Sequence, residues 1–541
     1  MIPRAIAVTF MLAAGLPAQV SWERLLHPER EPQNWLTYSG GSFSQRYSTL
    51  EDIKPDNVKT LEMQWVYQAR SLEKFEATPL VVDGIMYLTE PPNNVVALDA
   101  KTGAIFWVYE YRPANDARPC CGSVNRGLAI LGDTLFMGTI DSRLIAIDAK
   151  AGRPIWNIRI GDPKAGYSIT QAPLIVKDKV IVGVAGAEYG ISGFIAAYNP
   201  ASGKEVWRFN TIPQPGEPGH ETWAGDSWRH GGGSTWVTGS YDASLNTVYW
   251  GVGNPGADWN ADNRQGDNLY SDCAIALDAD TGKLKWYFQF TPHDEFDYDA
   301  VQVPVLVDGN WQGSPRKMMM WANRNGFFYV LDRTNGKFLY GTPFTKETWA
   351  TGLDESGRPI RAATATPTEA GTLIYPGVQG GTNWYSPSYS PRTGLFYIPS
   401  WQDYYMNLAK MPAEYNEGQR YTGGAPRSPV PTLQRGPINT WTAENGSGAV
   451  VAMDPNTGGK KWQFKMTDVT GSGILTTASD IVFTGGREGY FYALDAKDGT
   501  MLWKAALGGP IAMGPITYRI DGRQYVAVAA GHALFTFAMR Q

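Results

Sequence analysis

The sequence predicts an all-β protein, an eight-bladed β-propeller in which docked tryptophans lock each blade to the next. Three observations carry that expectation. An eleven-residue phrase, Ala-x-Asp-x-x-x-Gly-x-x-x-Trp, recurs along the chain. Copies that follow one another directly start about 50 residues apart, the length of one blade of short strands. The 541 residues include 60 Gly and 20 Trp, which supply tight turns and large flat packing surfaces.

The elements follow in chain order. Met1 to Arg4 supply one positive charge, residues 5–16 form an apolar run too short to span a bilayer, and Ala18 precedes Gln19. This pattern predicts a signal peptide over 1–18 and a mature chain of 19–541 exported to an oxidising compartment. The clearest copies of the phrase then start at Ala97, Ala146, Ala197, Ala276, Ala452 and Ala493, and end at Trp107, Trp156, Trp207, Trp286, Trp462 and Trp503. The third carries Asn199 in place of the Asp, and a variant runs from Val330 to Tyr340. An apolar strand precedes the turn, as in Asn94-Val95-Val96-Ala97-Leu98. The Asp-x-x-x-Gly stretch reverses the chain, with Gly at positive φ, and a second strand delivers the Trp.

Two gaps exceed one blade. The first, between Ala197 and Ala276, leaves room for an inserted loop. The second, between Val330 and Ala452, leaves room for a further blade and a lid. There, segment 385–400 has strand–turn–strand character around Pro391-Arg392-Thr393-Gly394, without the Trp. The stretch 401–441 is rich in Pro, Gly and Tyr and reads as a lid-like excursion over one face. Seven phrases plus the degenerate segment give eight blades in a single domain.

Composition narrows function. The net charge is −5 with no basic block, which argues against a nucleic-acid partner. No segment beyond the leader is apolar for long enough to span a membrane. No strand–Gly-x-Gly-x-x-Gly–helix unit exists, which argues against a nicotinamide enzyme. Cys273 lies among Ala274, Ile275, Ala276 and Leu277 and is expected as a buried free thiol. Cys120 and Cys121 are adjacent; they are two reduced thiols, or they close a small ring with a flat, polarisable surface.

Over nearly its whole mature length the chain resembles the quinoprotein alcohol dehydrogenases, which carry pyrroloquinoline quinone (PQQ). The likeness rests on the docking phrase and on Cys120-Cys121-x-x-Val124-Asn125-Arg126, Gly186-Ala187-Glu188, Gly253-Asn254-Pro255, Thr291-Pro292-His293-Asp294-Glu295-Phe296-Asp297-Tyr298-Asp299 and Asn323-Arg324-Asn325-Gly326. The resemblance implies an eight-bladed propeller with PQQ near its axis. A Cys120–Cys121 disulfide would stack on one face of the quinone and Trp236, which lies outside the docking phrase, on the other. Glu76, Arg126, Thr170, Gly186, Ala187, Arg324 and Asn383 match positions around the cofactor, where the fork of Arg126 suits a carboxylate.

Glu188, Asn254 and Asp297 match the ligands of a hard cation. Taken alone they read equally as a loop carboxylate, a turn residue and part of a solvated acidic loop. Asp299, two residues after the expected catalytic base Asp297, matches the added ligand of lanthanide-dependent relatives. Three carboxylates suit a trivalent ion, with Ca²⁺ the alternative.

The activity implied is oxidation of a small primary alcohol, with Asp297 as base and Arg324 stabilising developing negative charge. The chain has no Cys-x-x-Cys-His motif, unlike the quinohaemoproteins, which implies a separate acceptor, a soluble cytochrome c in the periplasm. A homodimer is compatible with the resemblance. Gly471-Ser472-Gly473-Ile474 lacks a Trp of the methanol-oxidising relatives, Ala185 replaces a hydroxyl residue, and Gly256-Ala257-Asp258-Trp259 looks like the broader alcohol dehydrogenases. Ethanol and longer alcohols are therefore the expected substrates, with methanol a weaker alternative. The rivals are a sugar or polyol quinoprotein and a non-catalytic propeller scaffold.

Overall fold

A computed structural model describes residues 20–427 and 446–540. The signal-peptide expectation and the end of the 401–441 excursion lie outside the described residues. Four-stranded antiparallel sheets succeed one another along the chain. The first runs from Leu80–Val82 to Ile105–Tyr109, the second from Ala129–Leu131 to Pro154–Arg159 and the third from Leu174–Val176 to Glu205–Asn210. The fourth runs from Ser240–Asp242 to Leu284–Gln289 and the fifth from Val305–Trp311 to Lys337–Pro343. The described residues are all-β, as the sequence predicts, with short helical turns as their only helices. Among the described residues no helix is long and apolar enough to cross a membrane.

The phrase works as its chemistry requires. In the first copy, Asp99 Oδ1 accepts the backbone N–H groups of Lys101 and Thr102 at 2.8 and 3.2 Å and so shapes the turn. Asn199 does the same for Ala201 and Ser202, so the substitution keeps the turn. Five of the six indoles reach the turn of the next phrase. Trp107 donates to Ala149 O at 3.2 Å, Trp156 to Pro200 O at 2.9 Å, and Trp207 to Ala279 O, Trp286 to Arg333 O and Trp462 to Ala496 O, each at 3.1 Å. The ring lies against the turn glycine. A Cβ on Gly152 would sit 2.5 Å from the Trp107 ring, and one on Gly499 would sit 2.6 Å from the Trp462 ring. The glycine thus serves its own positive φ and the neighbour's indole together. Trp462→Ala is expected to cost about 3–5 kcal/mol, read as a lower denaturation midpoint.

One expectation is corrected. Segment 385–400 does not make a sheet of its own. Its strands, Ser388–Ser390 and Leu395–Gln402, pair with Ser447–Met453 and Lys460–Lys465, which carry the Ala452 phrase. The 401–441 excursion therefore interrupts a single sheet. The next sheet runs from Leu475–Thr477 to Met501–Ala506. A further one, which no phrase announces, is built from Ile516–Ile520, Arg523–Ala530 and Ala533–Met539, with Leu61–Gln68 as its outer strand. There Trp65 takes the docking role: a Cβ on Gly103 would meet its ring at 2.7 Å. N- and C-terminal strands thus pair and leave no open end, which protects strand edges that would otherwise invite association.

Segment 42–48 crosses the inner strands of four successive sheets. Ser42 O, Phe43 O and Gln45 O accept from Tyr241, Leu306 and Tyr389, and Tyr47–Ser48 pairs in parallel with the Leu475–Thr477 strand. Buried Arg46 binds Tyr38 O, Ile474 O and Pro515 O at 2.9, 3.0 and 2.6 Å. A cavity of about 430 Å³ adjoins this segment, lined by Trp35, Phe43, Arg46 and Lys317. None of the residues singled out for chemistry lines it.

Candidate functional site

The chemistry-bearing residues lie on the loops between and just after the sheet strands, where a rigid scaffold can hold them. Cys120 and Cys121 sit between the first two sheets and are joined, Sγ to Sγ, at 2.23 Å. Cys273 is free and buried. Glu188 stands on the short turn Ala187–Tyr189, entered through Gly186 at φ 125°. A Cβ on Gly186 would approach Gly166 O to 2.2 Å, so Gly186 serves the backbone path and Ala187 is buried behind it. Cys121 Sγ lies 3.5 Å from Glu188 Oε1.

The acidic loop is shaped by Asp294. Its carboxylate accepts the N–H groups of Phe296 at 2.8 Å and Tyr298 at 2.7 Å, and Asp297 between them adopts φ 62°. Asp299 is buried: Oδ1 accepts Asn254 N at 3.0 Å and Oδ2 accepts Arg324 Nη1 at 2.5 Å. Arg324 Nη2 also lies 3.2 Å from Asp297 Oδ2, and Val378 O holds its Nε at 2.9 Å. One guanidinium therefore spans both aspartates, with Asn254 alongside.

A second group forms around Arg126. Arg126 N donates to Thr170 O, and Thr170 Oγ1 lies 3.3 Å from Trp236 O. The Arg126 guanidinium lies over Trp236 at 5.0 Å and over Trp384 at 4.5 Å, and pairs with Glu76 at 2.9 Å. Burial alone would push Glu76 up, but Lys74 and Arg126 outweigh it and hold the carboxyl below its ordinary value. Asn383 Oδ1 accepts Trp384 N at 2.8 Å, which joins it to this group. Arg126 Nε and Nη1 are buried without hydrogen-bond partners among the described residues. Unpartnered guanidinium donors flanked by indoles fit the carboxylates of a planar aromatic acid.

Charge is concentrated on the acidic side. Burial pushes Glu188 up, and Asp299 adds to it. Asp258 is raised well above its usual range by burial and then by Glu188. Asp297 is raised by burial against the pull of Arg324, with Asp299, Asp258 and Glu188 adding repulsion. The resemblance implies an ionised Asp297 through a bound cation; the protein alone pushes that carboxyl the other way. Asp272 is raised by burial and Asp294, and both its oxygens are buried without partners among the described residues. Among the described residues the tight three-residue ligand cluster is Cys120, Cys121 and Glu188, and the carboxylates of Glu188, Asp297 and Asp299 do not meet as closely. What these acids share is desolvation and mutual repulsion, which a hard, highly charged cation would compensate.

The described part of the excursion packs over this group. Arg420 Nη2 donates to Cys120 O at 2.9 Å, Tyr421 N to Glu188 O at 2.7 Å and Trp259 N to Thr422 O at 2.9 Å. The Tyr415 ring stacks on His230 at 3.4 Å.

A separate buried carboxyl carries a stability prediction. Glu347 Oε1 has no hydrogen-bond partner among the described residues, and burial pushes the carboxyl up to about 9. Below an unfolded value near 4.5 the acid is protonated in both states and nothing is lost. As pH rises from there towards about 9 the unfolded chain releases a proton that the folded one keeps, so stability falls. Glu347→Gln is expected to stabilise by about 1–3 kcal/mol at pH 8 and to be neutral at acid pH, read as thermal midpoints across that range.

Sequence reasoning missed Trp384, Asp258, Asp272 and Lys74. Trp384 had a readable signal, an indole outside the docking phrase next to Asn383. Lys74 and Asp272 had none, because their partners come from the fold.

Residues 35–348 and 342–526 match the family model described as PQQ: glucose/ethanol/alcohol dehydrogenase, beta-propeller domain. The chain is 39% identical over 555 residues to the quinoprotein alcohol dehydrogenase PedH of Pseudomonas putida, covering 97% of this chain and 91% of that protein. It is 36% identical over 562 residues to a quinoprotein ethanol dehydrogenase of Pseudomonas putida, covering 95% and 88%. It superposes on the structure of a europium-containing methanol dehydrogenase with a TM-score of 0.89 at 33% identity, covering 95% of this chain and all of that one.

Proposed function

This chain belongs to the PQQ-dependent glucose/ethanol/alcohol dehydrogenase β-propeller family, and from that premise we propose that it oxidises primary alcohols, ethanol and longer, to aldehydes. The observation that carries this reading is the Arg324 guanidinium spanning Asp297 and Asp299. Asn254 N donates into the same group, and Glu188 lies beside the Cys120–Cys121 disulfide.

The successive sheets are read as eight blades. The Cys120–Cys121 disulfide and Trp236 provide the flat walls for PQQ, and Glu76, Arg126, Thr170, Gly186, Ala187, Arg324 and Asn383 line its rim. Glu188, Asn254, Asp297 and Asp299 hold the cation. Three carboxylates favour a lanthanide, with Ca²⁺ as the alternative. When bound, the quinone and its cation supply the two-electron acceptor and the Lewis acid.

The protein does the rest. Asp297 takes the hydroxyl proton of the alcohol as general base. Its positive-φ position on a loop braced by Asp294 holds the carboxylate still for that transfer. Arg324, anchored by Val378 O, presents fixed donors to negative charge that develops in the site. Packing of Tyr421 and Arg420 over Glu188 and Cys120 limits water access. The net charge of −5 favours encounter with a basic soluble cytochrome c in the periplasm, the acceptor we assign.

The test is dye-linked oxidation of ethanol, longer alcohols and polyols by metal-stripped, PQQ-loaded protein titrated separately with La³⁺ and Ca²⁺. Activity with La³⁺ alone on alcohols is expected. Activity with Ca²⁺ alone overturns the ion assignment, a polyol preference overturns the substrate, and silence with both overturns the enzyme reading.

A further inference from the structure

Asp258 belongs to none of the residue sets that the resemblance supplies. It is 1% exposed and sits four residues after Asn254, in the loop Gly256-Ala257-Asp258-Trp259. Its Oδ1 accepts Asn254 Nδ2 at 3.1 Å. Its Oδ2 is buried without a hydrogen-bond partner among the described residues. Among the described residues Asn254 Nδ2 has one further hydrogen bond, a longer one of 3.3 Å to Pro255 O.

Asn254 Nδ2 faces two acceptor oxygens, Asp258 Oδ1 and Pro255 O, so the amide presents its N–H end to that side. The bond to Asp258 therefore decides which way the amide faces, and its carbonyl Oδ1 is turned to the opposite side. That carbonyl is the end a hard cation takes. Without Asp258 the amide keeps only its weaker contact to Pro255 O and is freer to rotate.

We propose that Asp258 is a positioning residue of the cation site: it aims the Asn254 carbonyl at the ion. The inference rests on Glu188, Asn254, Asp297 and Asp299 holding the cation. An orienting partner of a ligand typically contributes about 10–100-fold in affinity.

The experiment is calorimetric binding of La³⁺ and of Ca²⁺, with chelator competition where needed. It uses PQQ-loaded wild type, Asp258→Ala, Asp258→Asn and Asp299→Ala. Metal-free thermal midpoints report folding. Asp258→Ala is expected to lose about 10–100-fold in affinity for La³⁺ and for Ca²⁺. Asp258→Asn keeps an acceptor oxygen for the Asn254 N–H and is expected to restore most of that affinity. If Asp258→Ala does not fold, Asp258→Leu, which keeps the bulk and lacks an acceptor, takes its place. Wild-type affinity in Asp258→Ala, with loss in Asp299→Ala, overturns the role of Asp258 and leaves the four-ligand reading standing. Equal losses in Asp258→Ala and Asp258→Asn mark a structural role and overturn the proposal. If wild type and Asp299→Ala bind neither ion, the cation-site reading falls and the proposal with it.

Discussion

Asp297→Asn is expected to lower kcat for ethanol by about 10²–10⁴-fold, the range a positioned general base contributes. The substitution isolates the proton-accepting role. Asn keeps an oxygen for a cation, and it tolerates the left-handed backbone at φ 62° that this position requires. The brace below it also survives, because Asp294 holds the loop through the N–H groups of Phe296 and Tyr298 rather than through the Asp297 side chain. Arg324 keeps Asp299 and Val378 O as partners. The measurement is single-turnover and steady-state oxidation by PQQ-loaded protein of equal metal content, with deuterated ethanol to report whether C–H cleavage limits the rate. A variant within threefold of wild type would show that the proton leaves by another group.

Asp299→Ala is expected to abolish La³⁺-supported turnover while the fold is retained. Asp299 is buried, and its oxygens receive Asn254 N and Arg324 Nη1. On the proposed reading a cation there competes with Arg324 for the carboxylate, which a trivalent ion does better than a divalent one. Removal leaves Arg324 its pairing with Asp297 and its bond to Val378 O, so the buried guanidinium is not stranded. La³⁺ affinity is expected to drop more than about 100-fold, beyond the range of an orienting residue. Full lanthanide-dependent turnover in Asp299→Ala, measured beside its thermal midpoint, would refute the ligand role.

Legibility followed the range of the interaction. The docking phrase could be read because its turn closes within a few residues: Asp99 caps Lys101 and Thr102, and Gly152 faces the Trp107 of the copy before it. The final sheet could not be read, because its outer strand, Leu61–Gln68, comes from the far end of the chain and pairs with Ala533–Met539. Segment 385–400 looked like a separate unit because a long excursion parts it from its partner strand Ser447–Met453.

The candidate site divides in the same way. Cys120–Cys121 and the Asp297/Asp299 pair are neighbours in sequence, so the family resemblance could mark them, although residue type and spacing alone left both open. Arg126 between Trp236 and Trp384, Arg324 across two aspartates and Asp258 against Asn254 are each brought together by loops of different strands. The sequence by itself therefore determined the repeating all-β architecture, the vicinal cysteines and the acidic loop, since each depends on contacts a few residues long. Tertiary structure alone decided ring closure, the orientation of the Asn254 amide and the upward push on Asp297. Those depend on which charges and surfaces meet after burial, and desolvation acts only on groups that folding has already removed from water.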